Sequence, residues 1–206
     1  MISGIKNLIS RFFSSEKKKF KVALSKIKGD VKLIVGAGMT EYNEWISSEK
    51  HQLNVLSEKD WVYFFGNRKL TNILAEHVWE HLSLTDAAMA NALCYKYLSS
   101  GGRLRLAVPD GFFPDKNYID YVKPGGTGAG ADDHKVLYNY KLMKEQLEKV
   151  GFKVELLEYW DEEGQFHFTD WDPQKGGMID RSKRFDERNK NGQLKYTSLI
   201  VDAIKA

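Results

Sequence analysis

Apolar and polar positions change period several times along the chain, and each change predicts an element. Val31-Lys32-Leu33-Ile34-Val35 is a β-branched apolar run between Asp30 and Gly36, which predicts a strand ending on Gly36-Ala37-Gly38. Asn72–Ala75 reads as a short buried strand, Glu76–His81 as a charged turn and Asp86–Leu98 as an amphipathic helix. A Gly101-Gly102 stop and a second strand at Arg103–Val108 follow. Strand, crossover helix and parallel strand make one βαβ unit, and in open α/β sheets ligands gather just beyond the carboxyl ends of such strands. Those ends here carry Glu76-His77 and Pro109-Asp110-Gly111.

Elsewhere the pattern is less regular. Glu41–Trp45 opens like a helical turn, Leu53–Leu56 reads as a short strand and Asp60–Phe65 as a short helix. Lys135–Val150 places Leu137, Tyr140, Leu147 and Val150 near one face and stops at Gly151, which predicts a helix. Strands are predicted at Lys153–Tyr159 and Tyr196–Ala203. Two long segments interrupt this order: a loop at Asp110–Asp133 with a glycine-rich stretch that suits a lid, and a polar, aromatic-studded excursion over 161–195. Strands alternating with helices, closed by a terminal pair of strands, predict a three-layer α/β sandwich with a mostly parallel sheet.

At 206 residues, 42% hydrophobic and 29% charged, the chain has the composition of a soluble globular domain. Its formal charge of +3 hides an asymmetry. Residues 1–28 carry eight Lys or Arg against Glu16, a balance of +7, while the rest has 23 bases and 27 acids, a balance of −4. The body is therefore not a basic surface built for nucleic acid. Residues 1–28 read as a basic amphipathic helical segment with Ile2, Ile5, Leu8, Ile9, Phe12 and Phe13 at helical spacing. Two readings stay open for it: a helix folded over the domain, or a peripheral contact with an anionic membrane. No run reaches membrane-spanning length and no signal-peptide pattern is present, so the expected location is cytoplasmic. One cysteine, Cys94, excludes an intramolecular disulfide and is expected to pack as a small hydrophobe.

Several residues are candidates for chemistry. The Gly36-Ala37-Gly38 turn lets backbone N–H groups approach a ligand, and a helix starting after it would favour an anion there. His77-Val78-Trp79-Glu80-His81 matches the HxxEH spacing of inverted zinc peptidases, which needs a helix presenting both histidines to one metal. Its place directly after a strand argues against that helix, and no metal is assigned. Phe166, His167, Phe168, Trp171 and Arg181 suit either a substrate pocket or the small core of a hairpin.

AEHVWEHL, GGRLRLAVPD and KVGFKVELLEY, taken in this order, resemble the class I S-adenosylmethionine-dependent methyltransferases. The resemblance is to a branch often found beside glycosyltransferases, and covers about residues 31–160 plus the last strand. It implies a Rossmann-like sandwich with a seven-stranded, mostly parallel sheet and an antiparallel last strand, over 29–206, with insertions at 110–133 and 161–195. It implies S-adenosylmethionine as cofactor and a small-molecule or glycan acceptor, linking the chain to polysaccharide biosynthesis. Gly36, Ala37, Gly38, Glu49, Asn54 and Glu76 fall at its cofactor-binding positions. The chain departs from the family at Ile34, Thr40 and Asn54, where an acid, a glycine and an aspartate are usual. A catalytically silent member that keeps the fold as a binding module is the alternative these departures raise. For a hydroxyl acceptor the candidate base is His77, because a histidine changes charge near neutral pH, with His134 second and Asp110 as a further catalytic candidate.

Overall fold

In the computed structural model, which describes the backbone of residues 2–206 and the side chains from residue 13 onward, seven strands share one sheet in the order β2-β1-β3-β4-β7-β5-β6. They are β1 Lys32–Val35, β2 Trp45–Ser48, β3 Leu70–Glu76, β4 Leu98–Pro109, β5 Phe152–Trp160, β6 Phe166–Phe168 and β7 Ser198–Lys205. Strands β2, β1, β3 and β4 run parallel, and β7 lies antiparallel between β4 and β5. The mostly parallel α/β sandwich is as the hydrophobic pattern predicts, and the antiparallel last strand is as the resemblance implies.

Period-two alternation decides which side each strand residue feeds. Leu33, Val35, Ile73, Ala75, Leu104, Leu106, Leu199 and Val201 point to one face. There they meet helices α1 Ile2–Lys26, α2 Glu58–Phe65, α3 Leu84–Tyr97 and α5 Tyr140–Glu148. The α1 stripe from Ile2 to Phe12 lies outside the described side chains, but its later part docks on the domain. Phe20 meets Phe64 edge-on at 4.9 Å and Leu24 is buried. Lys17 pairs with Asp60 at 2.5 Å, and Lys21 sits 3.7 Å over the Tyr63 ring. Arg68 donates to the carbonyls of Leu24, Ile27 and Gly29, which satisfies the otherwise unpaired end of α1. Among the described residues no helix is long and apolar enough to cross a membrane.

The opposite face is built differently. Residues 36–44 alone cross from β1 to the parallel β2, where such a connection ordinarily takes about a dozen residues and a helix. No helix follows the glycine turn, and Glu41–Trp45 leads into β2 instead; Leu53–Leu56, read as a strand, is a turn. The face left open by that missing helix is covered from the far end of the chain. Ile34, Leu74, Ala107, Leu157 and Ile200 pack against Trp171, Ile179 and Phe185 from the 161–195 excursion. Buried Arg105 locks this layer down. Its Nε and Nη2 each donate to Asp202 at 2.7 Å, its Nη1 donates to the Gly177 carbonyl at 2.6 Å, and its guanidinium stacks on Trp171 at 4.6 Å.

Other boundaries differ from the reading of the sequence. Gly101-Gly102 does not separate helix from strand: β4 starts at Leu98 and runs through both glycines, with a register shift against β3. The 110–133 segment holds a helix, α4 Lys116–Val122, capped by Asp115, so it is not an irregular loop. Residues 135–139 precede α5, which starts only after Asn139 caps it through Leu142 N–H.

Candidate functional site

The carboxyl ends of β1 and β3 meet at one point. Gly36 and Gly38 have φ of 61° and 57°, the left-handed region where glycine is favoured. A Cβ on Gly36 would lie 2.6 Å from Val78 Cγ2, so the β1 turn is packed directly on the segment after β3. Glu49, the residue after β2, accepts from Gly38 N–H at 2.6 Å, and Ala37 N–H donates to Ser48 O at 3.1 Å. Glu49 therefore braces the glycine turn from its neighbour strand. Asn54 makes a local turn, accepting from Leu56 N–H at 3.1 Å. It lines a cavity of about 270 Å³ with Val35, Gly36, Leu53, Val55, His77 and Val78.

On the other side of Gly36 lies a larger cavity of about 800 Å³, walled by Gly36–Thr40, Glu76, His77 and the excursion residues Asp180, Arg181 and Arg188. Glu76 ties the two walls together, since its carboxylate accepts from Asp180 N–H at 3.0 Å and Arg181 N–H at 2.8 Å. Behind this wall Tyr42 donates to Met178 O at 3.1 Å, and burial, then Asp180 and Glu76, push its hydroxyl far above the ordinary tyrosine range.

His77 is the residue between them. Its φ of 55° is unusual for a side chain other than glycine, and its N–H donates to Ala107 O at 2.8 Å. Nε2 lies 3.1 Å from Ser198 Oγ, and Nδ1 lies 2.9 Å from Glu80 Oε1 without hydrogen-bond alignment. Ser198 is fully buried, so this row of side chains presents no nucleophile to a substrate. Trp79–His81 is a single 3-10 turn held by Trp79 Nε1–H on Asn91 Oδ1 at 2.9 Å. The two histidines of HVWEH therefore do not share a helix face, as their place after a strand implies.

A third cavity, about 410 Å³, opens on the far side of His77, lined by Glu80, His81, Pro109, Tyr121, Gly128, Ala129, His134, Arg181, Arg188 and Tyr196 among others. The glycine-rich stretch forms its rim. His134 enters from the end of that stretch, buried, with Nδ1 2.6 Å from Val122 O. A carbonyl only accepts, so Nδ1 carries the proton and the Nε2 lone pair is left for other partners. Glu80 is 1% exposed and neither carboxylate oxygen accepts a hydrogen bond. Tyr138 O–H is likewise buried and unpartnered, and burial, reinforced by Glu80, raises it well above its usual range.

Asp110 sits elsewhere. It is fully buried, accepts from Phe112 N–H at 3.0 Å and Trp160 N–H at 2.8 Å, and is not among the residues lining these three cavities. Burial pushes its carboxyl up to about 6, against the lowering effect of those two N–H groups. Its place is that of a latch between the end of β4 and the end of β5. Of the excursion residues weighed as pocket or core, Arg181 lines two cavities. Trp171 is core, donating to Glu158 at 2.8 Å, and Phe166, His167 and Phe168 lie on the β5–β6 hairpin, where His167 stacks on Tyr159 at 4.6 Å. Arg188 and Tyr196, 3.7 Å apart as cation over ring, are cavity residues that no local motif announces. Cys94 is buried, with its thiol pushed up by burial, as its packing role requires.

The architecture is the fold of class I S-adenosylmethionine-dependent methyltransferases. It is similar to the crystal structure of a SAM dependent methyltransferase from Archaeoglobus fulgidus, with a TM-score of 0.51 and 17% identity over 97% of this chain and 99% of that one. A second similar structure is a SAM-dependent methyltransferase, possible histamine N-methyltransferase, from Thermotoga maritima, with a TM-score of 0.49 and 9% identity over 97% and 95% of the two chains. No protein-family profile matches the chain, and no curated protein matches it in sequence.

Proposed function

We propose that the chain is an enzyme that transfers a methyl group from S-adenosylmethionine to a small-molecule or glycan acceptor. The observation that carries this reading is the convergence of three cavities on His77, two of them sharing Gly36, at the carboxyl ends of β1 and β3. In this assignment the adenosine lies in the cavity lined by Leu53, Asn54 and Val55, with Glu49 at its ribose side. The amino-acid moiety occupies the larger cavity over Gly36-Ala37-Gly38. That position lacks the helix N-terminus that would favour its carboxylate; the cations on its wall are Arg181 and Arg188, each paired with an acid, Glu76 at 3.6 Å and Asp186 at 2.6 Å, beside Asp180 and Glu187. Glu76 holds the Arg181 segment in place. The acceptor takes the third cavity, between Tyr121, Tyr196 and the glycine-rich rim.

The reaction is a direct displacement, so most of the acceleration comes from holding the nucleophile in line with the methyl group in a site that excludes water. His77, on the wall of all three cavities, is assigned as the proton acceptor, with His134 as the other imidazole facing the acceptor. Calorimetric titration with S-adenosylmethionine and its demethylated product tests the proposal. Saturable binding of both is expected; no heat at millimolar ligand overturns it in favour of a silent binding module. His77→Gln is expected to reduce turnover by about 100-fold or more, the usual yield of general base catalysis, with cofactor affinity nearly unchanged. An equal loss of both would place His77 in the cofactor site alone.

A further inference from the structure

We propose a divalent transition-metal site formed by Glu80, His81 and His134 on the wall of the acceptor cavity. One potential ligand atom from each of the three lies within 4.8 Å of the others, and they are the one such group of three or more among the described residues. The second observation is Glu80 itself. Its carboxylate is 1% exposed and neither oxygen accepts a hydrogen bond; His77 Nδ1 lies 2.9 Å from Oε1 without alignment, and a bound cation would supply the compensation the buried group lacks.

The surroundings fit ligation. His134 is fixed by its Nδ1–H on the Val122 carbonyl, which leaves a lone pair on Nε2, and His81 Nδ1 lies 3.4 Å from the exposed Asp133 Oδ2. Metal-bound histidines are typically held in that way. The two rings meet edge-on at 4.7 Å. Backbone bonds from Lys135 and Val136 N–H to Glu80 O, at 2.7 and 3.2 Å, clamp the His134 segment against the Glu80 turn. A metal about 2.0–2.2 Å from each ligand needs a tighter cluster than this. His81, 32% exposed and beside the exposed Asp133, is the side chain that would move to close it. Two imidazoles and one carboxylate suit zinc, manganese or iron(II) better than calcium or magnesium.

Three protein ligands leave coordination positions open toward the acceptor cavity. Resting on the methyl-transfer reading, the site therefore selects an acceptor that offers a hydroxyl. The metal lowers the pKa of that hydroxyl, its proton passes to His77, and an oxygen lone pair forms the new C–O bond. The C–S bond breaks and its electron pair stays on sulfur, which becomes the neutral thioether. With His81 and His134 used as ligands, His77 is the imidazole left to take the proton.

The test is titration of chelator-treated full-length protein with Zn²⁺ by calorimetry, and with Co²⁺ by visible absorption, in the absence of S-adenosylmethionine. About one equivalent per chain is expected, with Co²⁺ bands of a nitrogen–oxygen site. Glu80→Gln and, because Glu80 is buried, His81→Ala are each expected to weaken binding by at least about 100-fold. His167→Ala, on the β6 hairpin, is expected to bind as before. No stoichiometric binding, or undiminished binding in His81→Ala with retained thermal stability, overturns the site. The S-adenosylmethionine titration is read separately: its failure overturns the hydroxyl-transfer role while metal binding still stands or falls on these variants.

Discussion

Arg105→Met tests whether one buried guanidinium pins the irregular layer that walls the largest cavity. The side chain is 1% exposed, holds both oxygens of Asp202, caps the Gly177 carbonyl and stacks on Trp171. Removing one partner of a buried ion pair costs about 3–5 kcal/mol, because a charge is left without compensation. Asp202 keeps Arg103 as a second partner, which moves the cost to the lower end of that range. The Gly177 carbonyl, however, loses its donor, for about another 1–3 kcal/mol. A net loss near 4 kcal/mol follows, and at about 2–4 °C per kcal/mol for a chain of this length, a Tm lower by about 8–15 °C. Thermal melting gives the size and amide exchange gives the place. Exchange should accelerate at Gly177–Lys183, whose bonds to Arg105, Glu76 and Glu158 hold the layer, while α3 keeps its protection. Adding Asp202→Leu should recover much of the loss, since replacing both partners of such a pair is often neutral. A Tm within about 3 °C of the parent, or exchange that rises equally in α3, refutes the reasoning.

Two further outcomes follow. Asp110 has a carboxyl pushed up to about 6 when folded, against about 3.9 unfolded, so the folded state holds its proton through that interval. Its contribution is full only well below pH 4 and is lost as pH rises through 6; the stability of the parent relative to Asp110→Asn should fall by about 2 kcal/mol from pH 4 to 7 in urea denaturation, and a flat difference refutes it. Gly36→Ala meets Val78 at 2.6 Å and should lose about 1–3 kcal/mol to that clash on top of the left-handed backbone cost of about 1–2 kcal/mol, with weaker S-adenosylmethionine binding. Gly38→Ala meets nothing within 4 Å and should lose only the left-handed backbone cost of about 1–2 kcal/mol; matching denaturation midpoints for the two variants would sink the argument.

How far the sequence shows this structure depends on the range of the forces. Strands β1, β3 and β4 are legible because each carries its own apolar pattern, and helix α3 because Ser83 caps it through Asp86 N–H and alanine-rich, helix-favouring residues follow. The second strand is not: Trp45-Ile46-Ser47-Ser48 is half polar, while Leu53–Leu56 looks more strand-like and turns instead because Asn54 and Asp60 capture backbone N–H groups. The layer at 169–197 has no period at all. It is held by single side chains on distant backbone: Glu76 on residues 180 and 181, Glu158 on Lys183, and Asn189 on Ser182 and Tyr196. Such contacts span more than a hundred residues in the case of Glu76 and leave no local mark. The glycine turn, His77 and His134 are visible as residues, yet the partnership of Glu80 with His134 exists only after the 110–133 segment folds back. HVWEH shows a metal-like spacing whose first histidine then lies against Glu80, while His134, far along the chain, joins the cluster of Glu80 and His81.

The replacement of a helix after β1 by a layer from the far end of the chain also orders events in time. Gly36–Thr40 form one wall of the large cavity and residues 180–188 the other, and the latter are held both by Glu76 and by Ser198 at the start of β7, whose N–H donates to Arg181 O at 3.0 Å. An emerging chain can assemble the parallel strands and their helices first, but the large cavity lacks its second wall until the excursion and β7 are seated. Anything bound in that cavity therefore stabilises the finished protein and none of its partly folded forms. Occupancy becomes a readout of completed folding, and a chain that stalls before β7 is distinguished from the native one by its empty hands.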